Sequence, residues 1–272
     1  MNTDIMSFAA YLRKEERSAA TIEKYVREAG RFLRWLDGRT AGKELALAYK
    51  EALMGERTPA GVNGAVAALN CLFSFWGLPE CRMRSVKIQR RIFRDEEREL
   101  TEKEYRRLLT AAKGNRRLLL VMETICATGI RVSELKFFTV EAVRRGRAEV
   151  YNKGKNRPVF LPGKLQKTLL QYIKAQGIES GPVFITRSGR PLDRSNIWSD
   201  MKKLCRTAGV AEAKVFPHNL RHLFARMYYG LEKDIVRLAD ILGHASINTT
   251  RIYTMESGAE HRRQLERMRL VI

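Results

Sequence analysis

Along the first eighty residues, apolar positions recur at the three-to-four spacing of helices that bury one face. Ile5, Met6, Phe8, Ala9 and Leu12 predict a helix over 3–15. Ser18 reads as the N-cap of a second, in which Ile22, Tyr25, Val26, Ala29, Phe32, Leu33 and Leu36 keep register until Gly38. A third helix covers 42–54. Thr58-Pro59, a cap followed by proline at the first helical position, opens a fourth that runs to about Trp76. Four helices with short connections make a small all-α unit. The rhythm then breaks. "CRMRSVKIQRRIFRDEERE" (81–99) is charged, has no helical apolar period and predicts an extended connector. Its basic side chains either face solvent or reach for a polyanion.

Thr101 and Glu104 form a capping box that opens a second region. A buried helix follows over 115–128 and ends at Gly129. In "GRAEVYNKGKNRPVFLPG" the period changes to two, with Ala148 and Val150 before a glycine-containing turn and Val159 and Leu161 after it, which predicts a β-hairpin. "PVFI" (182–185) predicts a further short strand. Helical pattern returns at about 164–176, 194–208, 217–229, 233–242, 247–254 and 258–270. The expected fold is mainly α with a small antiparallel β-sheet: a helical unit over 1–86, a linker over 87–100, and an α+β unit over 101–272.

Charge narrows the function. The 272 residues carry 51 basic and 30 acidic side chains, a net of +21. Repulsion on that scale opposes compaction and is relieved by a polyanionic partner. Residues 1–90 hold 15 basic and 10 acidic side chains against 36 and 20 in 91–272, so most of the excess lies in the second region. Nucleic acid is the leading partner. A membrane surface lacks support, because no strongly apolar, Trp-rich amphipathic segment is present and no apolar run spans a bilayer. The N-terminus carries charge inside its apolar stretch and does not read as a signal peptide. Cys71, Cys81, Cys126 and Cys205 show no metal-ligand spacing, and reduced thiols fit a cytoplasmic chain. No metal or cofactor is expected.

Candidate chemistry gathers at turns and helix ends. "ATGIRVSEL" (127–135) puts Arg131 after a glycine corner with Glu134 one turn on, where the carboxylate can orient the guanidinium. "FPHNLRHLFA" (216–225) starts a helix at Pro217 with His218 and Arg221 on one face, at the end where unpaired N–H groups favour an anion. In "LGHASINTTRIYT" (242–254), Gly243 ends one helix and Ser246 caps the next. His244 then falls on the corner and Tyr253 at the end of the second helix. The hairpin turn "NKGKN" adds Lys153 and Lys155. His218 and His222, four apart, invite a zinc reading. The residues between them, "NLR", lack the glutamate of a zinc-protease motif, and His222 reads as a partly buried structural histidine. His261 reads as a surface residue.

"ATGIRVSEL", "HNLRH", "LGHASINTTRIY" and the lysine-bearing hairpin together resemble the catalytic motifs of the tyrosine recombinase (phage integrase/Xer) family, closely over about 100–255. The four-helix unit is similar to that family's SAM-like core-binding domain in size and pattern only. The resemblance implies a site-specific recombinase that closes as a C-shaped clamp on double-stranded DNA. It would act on inverted-repeat core sites as a homo-tetramer on two sites, with or without a partner recombinase, and pass through a Holliday junction. Tyr253 would attack a phosphodiester and leave a 3′-phosphotyrosine. Arg131 and Arg221 would clamp the non-bridging oxygens, and Lys153 would protonate the leaving 5′-oxygen. His218 and His244 would supply hydrogen bonds and assist proton transfer. Lys153 precedes the glycine as in the family, whereas Lys155 keeps better register with "RPVFLP". The terminal helix would pack on a neighbouring protomer or fold back on its own. Two positions depart from the family pattern: Leu223 and Arg226 flank "FA", which implies altered packing or an extra DNA contact. A type IB topoisomerase and a non-catalytic DNA-binding protein of the same fold are the alternatives, and "LRH" and "LGH" argue against the first.

Overall fold

The computed structural model describes residues 2–89, 96–152, 155–186, 188–255 and 258–268. The chain divides into two compact units, Met1–Arg90 and Arg91–Ile272.

The first unit holds α1 (Asn2–Lys14), α2 (Ala19–Leu36), α3 (Lys43–Glu56) and α4 (Pro59–Phe75). Local rules set the helix starts: Ser18 accepts from the Thr21 amide, and Thr58 accepts from the Gly61 amide with Pro59 behind it. The end of α2 differs from the expectation. The helix stops at Leu36, and Asp37 takes the left-handed conformation before Gly38 does. Phe8, Leu12, Phe32, Leu36, Leu69 and Phe73 build the core. Phe73 meets Phe32 edge-on at 5.6 Å, a favoured aromatic geometry.

The beginning of the charged connector is not loose. Asn70 accepts from the Met83 amide and donates to its carbonyl (2.8 and 2.9 Å), and Asn63 does the same with Val86 (2.7 and 3.0 Å). The two asparagines lie seven residues apart, two turns of α4, and so present amides at the pitch of an extended strand. Lys43 and Lys50 of α3 donate to the Arg82 and Arg84 carbonyls. Residues 82–86 are therefore part of the first unit.

The second unit runs α5 (Glu102–Ala111), α6 (Arg116–Thr128), α7 (Val140–Arg145), β1 (Arg147–Asn152), β2 (Lys155–Phe160), α8 (Gly163–Ala175), α9 (Arg194–Ala208), α10 (Pro217–Glu232), α11 (Ile235–Leu242), α12 (Ile247–Thr250) and α13 (Gly258–Met268). Thr101 and Glu104 make the expected capping box. The hairpin pairs Arg147 with Phe160 through Asn152 with Lys155, which turns Ala148, Val150 and Val159 into the core. α6 lies at the centre, with Leu120, Val121, Met122 and Ile125 wholly buried.

The predicted strand at 182–185 does not form as an element. It makes only single bridges, Thr139 with Pro182 and Ile185 with Pro191. Each bridge places a proline where a ladder needs an N–H, so neither can propagate. Among the described residues the sheet is two-stranded. No helix among them is long and apolar enough to cross a membrane.

Candidate active site

Two glycine corners and one helix start bring the candidate residues together. α6 ends at Gly129 (φ +66°), and a Cβ there would lie 2.3 Å from Phe224 of α10. Only glycine permits both the left-handed turn and that approach. The chain emerges in extended conformation at Arg131. Its amide donates to Glu134 Oε2 (2.9 Å) and its Nη1 to Glu134 Oε1 (3.0 Å). α11 ends likewise at Gly243 (φ +64°), where a Cβ would lie 2.6 Å from Arg157 Nε. Pro217 starts α10 and puts His218, Arg221 and His222 in its first two turns.

Arg221 is 1 % exposed. Its Nη1 donates to the Gly129 carbonyl (2.6 Å) and its Nη2 to the Leu242 carbonyl (2.7 Å). Those carbonyls stand at the C-terminal ends of α6 and α11, which carry the negative ends of two helix dipoles. Burial, then the neighbouring Arg131, push the guanidinium down to about 10, so it stays charged at neutral pH. Its Nε is buried and has no hydrogen-bond partner among the described residues, a donor left without an acceptor.

Tyr253 is 5 % exposed, in a small cluster with Ala225, Leu238 and Leu242. The Arg221 guanidinium lies close enough to act on its phenol. Burial raises the phenol above its ordinary value, and Arg221 and Arg131 oppose the rise without cancelling it.

The His244 ring stacks on Tyr253 at 6.1 Å, with Nε2 3.0 Å from Arg221 Nη2 and Nδ1 2.8 Å from Thr250 Oγ1. A guanidinium only donates, so Nε2 must be the acceptor and Nδ1 must carry the proton to Thr250. Burial and Arg221 lower His244 to about 4. His218 is lowered by burial, Arg221 and Arg131.

Of the six candidates, Arg131, His218, Arg221, His244 and Tyr253 fall in one cluster. Lys153 lies outside the described residues; by chain order it and Gly154 join β1 to β2. Two further residues stand in the cluster. The His222 ring lies 5.1 Å from Tyr253 and 4.5 Å from His218, and burial holds it down to about 3. Its place one turn after His218 was the available signal. Arg157 Nη2 binds Glu134 Oε2 at 2.7 Å, with its side chain 14 % exposed. The two-residue alternation with Val159 put Arg157 on the inward face, but an arginine there reads as an edge residue until its carboxylate is known. Arg226 ion-pairs with Glu99 and donates to the Leu100 carbonyl, so this departure from the family pattern goes into packing.

The sequence of 98–260 matches the model of the phage integrase family. The tyrosine recombinase XerA of Pyrococcus furiosus is 31% identical over 279 residues, covering 97% of this chain and 93% of the relative. XerD of Xanthomonas campestris pv. campestris is 32% identical over 267 residues, covering 86% of this chain and 81% of the relative. Among solved structures, a lambda integrase dimer bound to a COC′ core site aligns with a TM-score of 0.74 at 18% identity, covering 95% of this chain and 96% of that one. XerH in a post-cleavage complex with palindromic difH aligns with a TM-score of 0.73 at 20% identity, over 94% of this chain and 84% of that one. The mainly helical fold and the cluster of arginines and histidines around a buried tyrosine define a tyrosine recombinase. This chain belongs to the phage integrase family and is homologous to the Xer site-specific recombinases.

Proposed function

We propose that the chain cleaves and rejoins double-stranded DNA at an inverted-repeat core site through Tyr253, acting as a homo-tetramer on two sites and resolving a Holliday junction. The observation that carries this reading is Arg221: its guanidinium lies beside the buried Tyr253 phenol and lowers its proton affinity, while its buried Nε has no partner among the described residues. A non-bridging phosphate oxygen is the acceptor that would satisfy it, and it would sit beside the nucleophile.

In the reaction, Tyr253 Oη bonds to phosphorus as the bond from phosphorus to the 5′-oxygen breaks. The phenol proton passes toward the imidazoles, and Lys153 delivers a proton to the departing 5′-oxygen. The products are a 3′-phosphotyrosine and a 5′-hydroxyl. Reversal on a new strand conserves the bond energy, so neither nucleotide hydrolysis nor a metal ion is required. Arg131 and Arg221 take the charge that grows on the non-bridging oxygens. A phenol raised by burial is a poor nucleophile. Cleavage therefore waits for DNA to bring a phosphate into the arginine pair and for a base to take the proton. His218 and His244 are the imidazoles at hand; His244 Nε2, which accepts from Arg221 Nη2, would take the proton once that donor turns to the phosphate.

The first unit acts as the core-binding domain and residues 101–272 as the catalytic domain. α13, with Leu265 and Met268 exposed, is available to pack on a neighbouring protomer. A cytoplasmic setting and a partner recombinase on the same site fit this reading. The test is a nicked suicide duplex bearing inverted repeats from the DNA flanking the gene. A denaturation-resistant protein–DNA adduct is expected, and Tyr253→Phe should abolish it. Persistence of the adduct in that variant would overturn the assignment, and ready relaxation of site-free supercoiled plasmid would favour a topoisomerase.

A further inference from the structure

α10 carries three of the clustered residues, His218, Arg221 and His222, and two separate sets of bonds hold it in place. One is the pair of carbonyls, from Gly129 and Leu242, that accept from Arg221. The other is the segment 98–100, which is fastened along the same helix. Asn219, next to His218 and 1 % exposed, donates from Nδ2 to the carbonyls of Arg98 (2.8 Å) and Lys214 (2.7 Å). Two turns further on, and so on the same face, Arg226 ion-pairs with Glu99 and donates to the Leu100 carbonyl. The Leu100 side chain is wholly buried in the core of this unit, which makes the segment a fixed rail for the helix.

Arg226 stands one turn beyond His222. Its charge reaches that imidazole: burial, then His218, then Arg226 hold His222 down to about 3. The His222 ring meets Tyr253 edge-on at 5.1 Å, and its Nε2 is buried with no hydrogen-bond partner among the described residues. With no bond at that nitrogen, the place of the ring follows the helix that carries it. We propose, on the function given above and as a deepening of it, that Arg226 is a positioning residue for the nucleophile: by fastening α10 to Glu99 and Leu100 it sets where the His222 ring backs Tyr253. An ion pair and a carbonyl bond on one guanidinium fix direction as well as distance. The rival use of a guanidinium here is to reach a DNA phosphate. Positioning is the better fit, because Arg226 is committed to a carboxylate and a carbonyl, with its side chain 16 % exposed.

Neutralising Glu99 separates the two uses by sign. A phosphate-binding Arg226 would be released by Glu99→Gln, and duplex would bind more tightly. A positioning Arg226 would lose its anchor, and cleavage would slow. A duplex is first selected by covalent capture on the wild-type chain from a pool of randomised inverted repeats. Its Kd and salt dependence are then measured by fluorescence anisotropy, and adduct formation is timed at saturating duplex, for wild type, Arg226→Met, Arg226→Lys and Glu99→Gln. Displacing a reacting group by about 1 Å can cost about a hundredfold, so Arg226→Met should slow adduct formation about ten- to hundredfold, with Kd within about twofold of wild type. Glu99→Gln should slow it about three- to tenfold at an unchanged Kd. Arg226→Lys, which keeps the ion pair, should recover most of the rate. Tighter binding by Glu99→Gln overturns the inference. So does weaker binding by Arg226→Met with a salt slope reduced by about 1 and an intact rate at saturation. Wild-type rates in both variants, with only the denaturant midpoint lowered, overturn it as well, since Arg226 would then serve stability alone. Glu99→Gln and Arg226→Lys carry the comparison should the methionine variant fail to fold. Failure of the wild-type chain to capture any duplex would instead remove the underlying function, and the inference with it.

Discussion

The two arginines of the candidate site are held in opposite ways. Arg221 is buried and fixed by backbone: the carbonyls that end α6 and α11 converge on its fork, and glycines in left-handed conformation shape both corners. Arg131 has a side chain 32 % exposed and is fixed by another side chain, Glu134, with longer contacts of 3.5 Å to the Leu242 and Gly243 carbonyls. The Arg221 cradle neutralises two helix C-termini and so belongs to the fold whether or not DNA is bound. The Glu134 side is a side-chain bracket, one buried carboxylate shared by Arg131 and Arg157, which on the function proposed above serves the chemistry more than the core. Stability and activity should therefore separate at Glu134 and stay joined at Arg221.

Replacement of Arg221 should have the largest effect. Arg221→Lys keeps one charge and gives up the fork, leaving at least one helix-end carbonyl without its donor. Cleavage of a suicide duplex should fall about a thousandfold, and stability by about 3 kcal/mol. Denaturant midpoint and adduct rate read the two losses. A variant that cleaves poorly yet melts like wild type would break the comparison. Glu134→Gln should come next. It keeps the shape and one acceptor oxygen but removes the charge that holds two guanidinium groups, so adduct formation should drop by roughly ten- to hundredfold. The accompanying stability loss should be smaller than at Arg221. Equal stability losses at both positions would show that the bracket is structural as well.

The smallest effect concerns pH. His222 and His244 are depressed to about 3 and about 4. A histidine with a lowered folded value is neutral in both states above about 6.5. As pH falls below that, the unfolded chain gains protons that the folded chain refuses, so stability declines with falling pH until the folded values are reached. His222 alone should contribute on the order of 1 kcal/mol per pH unit over that window. Adduct formation, by contrast, should show no imidazole inflection near 6.5, because both rings stay neutral through it. Denaturation midpoints and adduct rates across pH 5–8 test the pair. An activity inflection near 6.5 would mean that one of these rings is charged in the working complex.

What the sequence made legible follows the same division. Features ruled by local chemistry were readable directly: Ser18, Thr58-Pro59 and Thr101–Glu104 as caps, Gly129 and Gly243 as helix ends, and the hairpin from its two-residue alternation. Features that depend on a distant partner were not. Nothing near Asn63 or Asn70 signals that their amides grip residues 83 and 86. "PVFI" has strand composition, and only the prolines opposite and within it decide that it bridges without pairing. Arg157 drew no reading and His222 read as a structural histidine because their neighbours in the fold, Glu134 and Tyr253, lie 23 and 31 positions away. The conjunction of motifs pointed to residues of which five fall in one cluster, while the carboxylate that Arg131 and Arg157 share became visible only in three dimensions.

The central claim is that one phenol, buried in a small cluster beside Arg221, becomes covalently joined to DNA. Mass spectrometry of the trypsin-digested, nuclease-trimmed adduct tests it most directly. A nucleotide should be found on the peptide spanning 252–262, attached to Tyr253 through a 3′-phosphate, with a free 5′-hydroxyl on the released strand. Attachment to any other residue, or through a 5′-phosphate, would contradict the account.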